Sequence, residues 1–211
     1  MFCYKCGTQI PDGGKFCPAC GTAAQGSTAA SQPAPQPAEP FPQPSPITQA
    51  TSNGAMPFED YRSLLEGRLG IGQFVPELNA WMYYSEEFRI KWGASKMKKY
   101  VFLSAFEKLD VQALRTYSDA CIKHALKIYQ GLPRGFQTGV GSFAIAASNV
   151  VGQDAVDLAL QIPPKHYAAF ELPVIADLQN RRICHMQRTP MWGALLWKDI
   201  RNFATACAKF E

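Results

Sequence analysis

The clearest pattern of apolar and polar positions lies between residues 110 and 130. Small or apolar residues recur there at helical spacing, Asp110 precedes them as a capping residue, and Gly131 and Pro133 follow them. This pattern predicts a helix from Asp110 to about Gln130. Its buried face would carry Val111, Leu114, Ser118, Cys121, Ala125 and Ile128. A charged stripe on another side would be solvated and contains Arg115, Asp119, Lys123 and Lys127.

Apolar runs of strand length lie on either side of this helix. Residues 100–106 and 142–147 predict two strands of a sheet that the helix covers. Residues 167–177 and 181–186 predict a hairpin with a short turn between its arms. Because Pro173 cannot donate a backbone hydrogen bond, we expect the first arm to be an edge or irregular strand.

Three further helices are predicted: two short ones at residues 58–68 and 153–161, and one at the C-terminal end. Residues 74–92 are rich in aromatic side chains and fit either a helix or a strand. Before the last helix, Thr189 is placed to cap it and Pro190 suits its first position. Its buried face would carry Trp192, Leu195, Leu196, Ile200, Phe203 and Cys207.

The predicted elements determine the fold class. Their order, β-α-β-α-β-β-α, implies a mixed sheet with helices packed on it. Residues 57–211 are therefore predicted to form a single α/β or α+β domain. No run of eighteen apolar residues occurs, so the sequence predicts no membrane span and no membrane partner.

The composition changes abruptly in residues 23–56, which are dominated by Ala, Gln, Ser, Thr and Pro. Seven prolines fall between Pro33 and Pro46. Such a segment cannot bury a core, and closely spaced prolines favour extended polyproline II structure. We expect a disordered, Pro-rich linker that acts as a semi-rigid spacer. An alternative role as a ligand for a proline-binding domain would use Pro37 and Pro40, but no basic residue lies nearby to fix its orientation.

Two Cys-x-x-Cys pairs, each followed by glycine, occupy residues 1–22, and ten residues separate the pairs. The four cysteines are Cys3, Cys6, Cys17 and Cys20. Two such turns can supply four thiolates at the corners of a tetrahedron, which is the coordination of a structural Zn²⁺ ion. With four protein ligands the ion has no open position, so we expect it not to activate water.

The stretch MFCYKCGTQIPDGGKFCPACGT closely resembles the short N-terminal zinc-ribbon family of bacterial proteins. The resemblance covers about a tenth of the chain and implies zinc without implying a reaction. An iron site of the rubredoxin kind and a dithiol redox pair are the alternatives. The short segment between the pairs disfavours iron, and the absence of a βαβ unit around either pair disfavours redox chemistry.

Charge and cysteine content bear on the cellular setting. The formal net charge of +4 falls to about +2 when four thiolates hold one divalent ion, so the chain is only mildly basic. Three cysteines remain outside the ribbon, and an odd number does not fit a secreted disulfide framework. The first residues also lack the basic start and apolar stretch of a signal peptide. We therefore expect a cytoplasmic protein.

The predicted domain offers few groups for catalysis. Cys121 and Cys207 fall on apolar helix faces, so we expect them to be buried and structural. Cys184 and His185 are neighbours in a predicted strand and would point to opposite faces, which excludes them as a dyad. Of the other histidines, His124 and His166, we expect His166 to be the more exposed because it precedes a strand.

Residues 165–192 are the first place to expect an enzyme site. Glu171 and Asp177 would share one face of a strand but lie roughly 20 Å apart at about 3.3 Å per residue, too far for a carboxylate pair. A concave site would have to join His166, Glu171 or Arg188. The alternative is a core hairpin followed by a capped helix, with no chemistry.

A basic and aromatic run lies within residues 89–100, which contain no acidic residue. Its members are Arg89, Lys91, Trp92, Lys96, Lys98, Lys99 and Tyr100. Such a patch can contact a nucleic-acid backbone and offer rings for stacking on bases. A solvated charged surface is the alternative.

The leading hypothesis is a zinc-binding cytoplasmic protein whose ribbon is a tethered module for binding another protein. Two alternatives stay open. One is a nucleic-acid-associated factor that uses the basic run at residues 89–100, and the other is an enzyme with a site near residues 165–192. The sequence leaves the oligomeric state open, and also whether the ribbon docks on the main domain.

Overall fold

The computed structural model describes residues 54–135 and 137–211. The predicted zinc ribbon at residues 1–22 and most of the predicted linker at residues 23–56 lie outside the described residues. The predicted α/β domain therefore provides nearly all of the structure that follows.

The described chain builds one sheet with helices on both of its faces. The helices are α1 (Phe58–Leu69), α2 (Val111–Ile128), α3 (Gln153–Ala159) and α4 (Ala194–Ala208). The strands are β1 (Gln73–Val75), β2 (Ala80–Arg89), β3 (Ser95–Phe106), β4 (Thr138–Ser148), β5 (Ala169–Asp177) and β6 (Arg182–Cys184). Short 3₁₀ turns, Pro76–Leu78 and Ile90–Trp92, flank β2.

The six strands lie in the sheet in the same order as in the chain. The pairs β1–β2, β2–β3 and β5–β6 are antiparallel, whereas β3–β4 and β4–β5 are parallel. Val101, Phe143 and Leu172 lie side by side on the three parallel strands. Parallel neighbours need a crossover connection, and α2 and α3 provide the two crossovers.

Each face of the sheet has its own apolar core. Helices α1 and α4 pack on one face, through side chains such as Leu65 and Trp197. Helices α2 and α3 pack on the other, through side chains such as Leu114 and Ala155. The mixed sheet with helices on both faces confirms the predicted combination of a mixed sheet and packed helices. Of the helices described, none combines the length and the apolar character that a membrane crossing requires.

The structure confirms the strongest helix prediction. Helix α2 begins after Asp110, whose Oδ1 accepts a hydrogen bond from the backbone N–H of Ala113 at 2.8 Å. Asp119 and Lys123 form the expected pair on the solvent side, at 2.6 Å. Tyr117 is buried as well, which the sequence pattern missed. The apolar face of α2 is therefore wider than the predicted stripe.

The predicted start of the last helix is wrong. Helix α4 begins at Ala194, after Gly193, and not at Thr189 and Pro190. Gly193 has φ +69°, and a Cβ there would approach the ring of Phe170 to 2.8 Å, so both backbone and space require glycine. Thr189 instead accepts a hydrogen bond from Arg201 on α4.

The predicted buried face of α4 also needs correction. Leu195 is 79% exposed, whereas Trp197, which the prediction omitted, is completely buried. The Trp197 ring lies against Phe170 and Trp192, and its Nε1 donates to the carbonyl oxygen of Trp192 at 3.0 Å. The segment before α4 is therefore a loop, and its Trp192 packs against Phe170 and Trp197.

The prediction that Pro173 makes its arm an edge strand is wrong for β5 as a whole. The strand lies between β4 and β6. Strand β6, however, pairs only with residues Ile175, Ala176 and Asp177, so in the described chain no strand pairs with Pro173 on that side. The missing N–H of proline is tolerated because the sheet is locally open there.

Candidate functional site

The basic run at residues 89–100 is divided between the two faces of the sheet. Lys99 points toward α4, is 7% exposed, and its Nζ lies 2.5 Å from Oε2 of Glu87 on β2. The same Nζ lies 4.0 Å from the centre of the Phe203 ring. Arg89 contacts Glu87 too. Burial acts to raise the pKa of Glu87, but hydrogen bonds from Lys99 and Arg89 outweigh burial and lower it.

Asp199 on α4 contacts the other members of the basic run that lie on this face. It accepts hydrogen bonds from Lys91 Nζ and from Trp92 Nε1, each at 2.8 Å, and its Oδ1 lies 3.4 Å from Nη1 of Arg89. These hydrogen bonds overcome the effect of burial and lower the pKa of Asp199. Asp199 therefore ties the 3₁₀ turn Ile90–Trp92 to the last helix.

The other members of the run lie on the α2 face. Lys96 pairs with Glu86 at 3.0 Å, and Lys98 donates to the backbone carbonyl of Gln130. Tyr100 is buried and its ring lies 5.2 Å from that of Tyr84. Every cation of the run thus has a partner within the domain. This geometry does not favour the single basic surface that nucleic-acid binding requires.

His166 and Glu171 come together, as the enzyme hypothesis required. Glu171 on β5 is 6% exposed and faces α2. Its Oε1 accepts a hydrogen bond from Ser118 Oγ at 2.6 Å, and its Oε2 lies 2.7 Å from Nε2 of His166. Ser142 is the neighbour of Glu171 on β4, and its buried Oγ has no partner among the described residues.

The chemistry of this cluster is limited. A carboxylate that holds one imidazole nitrogen orients the other, as in catalytic and metal-binding histidines. In this case the serine donates to the carboxylate and not to the imidazole, so the order of a nucleophilic triad is absent from the described residues. Within the same residues, no group of three acidic, histidine or cysteine side chains is placed to hold a metal ion. We interpret the cluster as a tie between α2, β5 and the loop before β5.

Arg188 does not join this cluster. Its carbonyl oxygen accepts a hydrogen bond from Arg201 on α4, on the opposite side of the sheet. Asp177 shares the α2 face with Glu171 but binds the backbone N–H and side chain of Asn180 and Nε of Arg182. These bonds fix the β5–β6 turn. The expectation that the two carboxylates share a face without forming a pair is confirmed.

Cys121 and Cys207 are buried, as expected. Burial raises the pKa of Cys121 far above its usual value and raises that of Cys207 to about 12. Both thiols therefore stay protonated at neutral pH and are poor nucleophiles. Cys184 packs against the α2-side core while His185 reaches Thr205 on α4, which confirms that they face opposite ways.

Sequence reasoning missed the partners that neutralise the basic run and stabilise Glu171. Glu86 and Glu87 precede the run, and Asp199 follows it by about a hundred residues, so a search of residues 89–100 cannot find them. Ser118 gave a usable signal: it is a polar residue in the middle of a predicted apolar helix face. A hydroxyl there needs a buried partner, and Glu171 is one of the two acids on the predicted strand of residues 167–177.

The four predicted ligands, Cys3, Cys6, Cys17 and Cys20, lie outside the described residues. Residues 2–23 match the family model of the zinc-ribbon domain, so the chain carries a zinc ribbon at its N-terminus, as the resemblance implied. This family implies zinc binding. Comparisons with curated proteins and with solved structures gave no match.

The tie between α2 and β5 predicts a strong effect of Glu171 on stability. Glu171→Ala leaves the Ser118 hydroxyl and the His166 imidazole without their acceptor, and we expect it to lower the free energy of unfolding by about 2–3 kcal/mol. Urea denaturation at pH 7 measures this. The control is Glu107→Ala, an exposed acid, which should change stability by less than about 0.5 kcal/mol. Equal stabilities of the two variants would contradict the interpretation.

Stability should also depend on pH through His185. Its Nε2 lies 2.9 Å from Oγ1 of Thr205, and burial lowers its pKa. In the unfolded chain the imidazole of His185 takes up a proton near pH 6.5, whereas in the folded protein it stays neutral to a lower pH. The free energy of unfolding therefore falls as the pH falls from about 7 to about 5.

Burial also lowers the pKa of His124, so the test compares variants. Unfolding free energies of the wild type, His185→Gln and His124→Gln should be measured between pH 7 and pH 5. We expect the unfolding free energy to depend less steeply on pH in His185→Gln than in the wild type. An equal pH dependence in the two proteins would contradict this account.

Proposed function

We propose that Cys3, Cys6, Cys17 and Cys20 hold one structural zinc ion, and that the ribbon they form binds another protein. The observation that carries this proposal is the pair of Cys-x-x-Cys-Gly motifs inside the segment that matches the zinc-ribbon family. The donor set fits the metal, because four thiolates from two such motifs are the ligands of structural zinc sites. The bound ion supplies the cross-link that a module of about twenty residues needs in order to fold.

A binding role suits this donor set better than catalysis. Four protein ligands leave no position at which water or substrate can reach the ion. In the α/β domain, four of the five cations of the basic run are paired with Glu86, Glu87 or Asp199, Lys98 donates to the Gln130 carbonyl, and the buried thiols are protonated. These features support a protein partner over nucleic acid and over a reaction.

The segment between the ribbon and the domain supports a tethered arrangement. Residues 23–56 combine low apolar content with seven prolines between Pro33 and Pro46, a composition typical of semi-rigid spacers. A ribbon on such a spacer can bind a partner without being part of the sheet. The three free thiols of the domain, Cys121, Cys184 and Cys207, support a reducing compartment, and we propose the cytoplasm.

The test is a comparison of bound proteins with and without the zinc site. In the double variant Cys17→Ser, Cys20→Ser, two of the four proposed ligands are lost, and we expect bound zinc to fall from one ion per chain to none. Proteins captured by the intact chain should be lost as well, because the ribbon loses its cross-link. Elemental analysis measures the zinc, and affinity capture followed by mass spectrometry identifies the partners.

The matched control is Cys184→Ser, which makes the same chemical change at a half-buried thiol of the α/β domain. It should keep both the zinc and the captured proteins. An intact chain that contains no stoichiometric zinc under reducing conditions would refute the metal site. Capture of the same proteins by the double variant would refute the role of the ribbon in binding.

A further inference from the structure

Within the residues that the structure describes, one edge of strand β2 is open to another strand. Strand β2 runs over Ala80–Arg89, but β1 pairs only with Ala80, Trp81 and Met82. In the described residues nothing pairs with residues 83–89 on that side, a length of about 23 Å at roughly 3.3 Å per residue. Unpaired N–H and C=O groups along such a length are a template for strand addition.

This edge lacks two of the features by which proteins block strand addition. Residues 83–89 contain no proline and no lysine. Their charges are neutralised from within the domain: Lys96 lies 3.0 Å from Glu86, and Lys99 lies 2.5 Å from Glu87. An approaching strand therefore meets little net charge.

Exposed aromatic rings lie along the same edge. Tyr84 and Phe88 are on the α2 face, four residues apart, and are 46% and 57% exposed. Two residues of one strand that are four apart lie on one face, and a neighbouring strand can cover both. A partner strand that carries aromatic residues at the same spacing would cover them best.

We infer that the occupant is a second copy of this chain, whose β2 pairs antiparallel with the first to give one continuous sheet across a two-fold axis. The geometry sets the register. Strand β1 blocks the edge before Tyr83, and after Arg89 the turn Ile90–Trp92 leads the chain back to its own β3. Full use of the free edge pairs Tyr83 with Arg89 of the other copy and places Glu86 on the axis.

This register is chemically self-complementary. It sets Tyr84 opposite Phe88 of the other copy, twice, so each exposed ring gains an aromatic neighbour. On the opposite face Ser85 lies opposite Glu87 of the other copy. The two Glu86 side chains meet at the axis, and each is already paired with its own Lys96, so the four charges sum to zero.

The first test is the mass of the full chain in solution. Sedimentation equilibrium should give twice the chain mass of 23.3 kDa. Phe88→Lys places a charge where the rings meet and should halve the measured mass. Met191→Lys is the matched control, because Met191 is 98% exposed and lies before α4, and it should keep the doubled mass. Circular dichroism checks that both variants are folded.

The second test is the register. Only a residue on the two-fold axis meets its own copy, and antiparallel neighbours lie within the 4.4–6.8 Å between Cα atoms that a disulfide needs. Two copies of the Glu86→Cys chain should therefore form a disulfide with each other under mild oxidation, whereas two copies of the Ile90→Cys chain should not.

A chain that sediments as a monomer at micromolar to hundred-micromolar concentrations would overturn the inference. A dimer that persists in Phe88→Lys would also overturn it, because the contact would then lie elsewhere, for example in the ribbon. A monomer whose β2 edge amides are protected only when residues 1–53 are present would assign the edge to the chain's own N-terminal part. These results are independent of zinc content and partner capture.

Discussion

The domain depends on the burial of strand β4 on every side. It lies between β3 and β5, and helices cover both of its faces, so its residues from Val140 to Ser148 are all buried. Its α2-facing positions include Ala144 and Ala146, whose small side chains let the crossover helices approach the sheet. A strand in this position must satisfy its backbone through both neighbours, which is why the parallel centre of the sheet is its most constrained part.

The charges follow from the same arrangement. Because the helices leave no solvent above the middle of the sheet, polar side chains there need partners inside the domain. Lys99 is paired with Glu87, and Glu171 with Ser118 and His166. The Ser118–Glu171 bond joins elements that are distant in the chain, so it contributes to the specificity of the fold as well as to its stability.

The sequence predicted the elements whose signals are local. Asp110 and the spacing of Leu114, Ser118 and Cys121 were sufficient for α2 because capping and periodicity act within one helix. The start of α4 could not be found in this way, because a side chain at Gly193 would meet Phe170, which lies on a strand more than twenty residues earlier.

The same distinction applies to the candidate sites. The residues at 89–100 are basic in sequence, yet their acids come from β2 and α4, and only the register of β2 with β3 brings Glu86 and Glu87 to them. His166 and Glu171 could be named one by one, but their contact depends on the turn before β5. The match of residues 2–23 to the zinc-ribbon domain was predictable because its Cys-x-x-Cys motifs are local in sequence.

The burial of β4 is tested most directly by hydrogen exchange of the native protein. The β4 amides lie between two strands, and helices cover both faces of the sheet, so these amides should exchange only when the whole domain unfolds. Their exchange should therefore be slower than that of the amides of α1 and of the β2 edge. Exchange of the β4 amides by local opening, at rates similar to those of α1, would contradict this account of the fold.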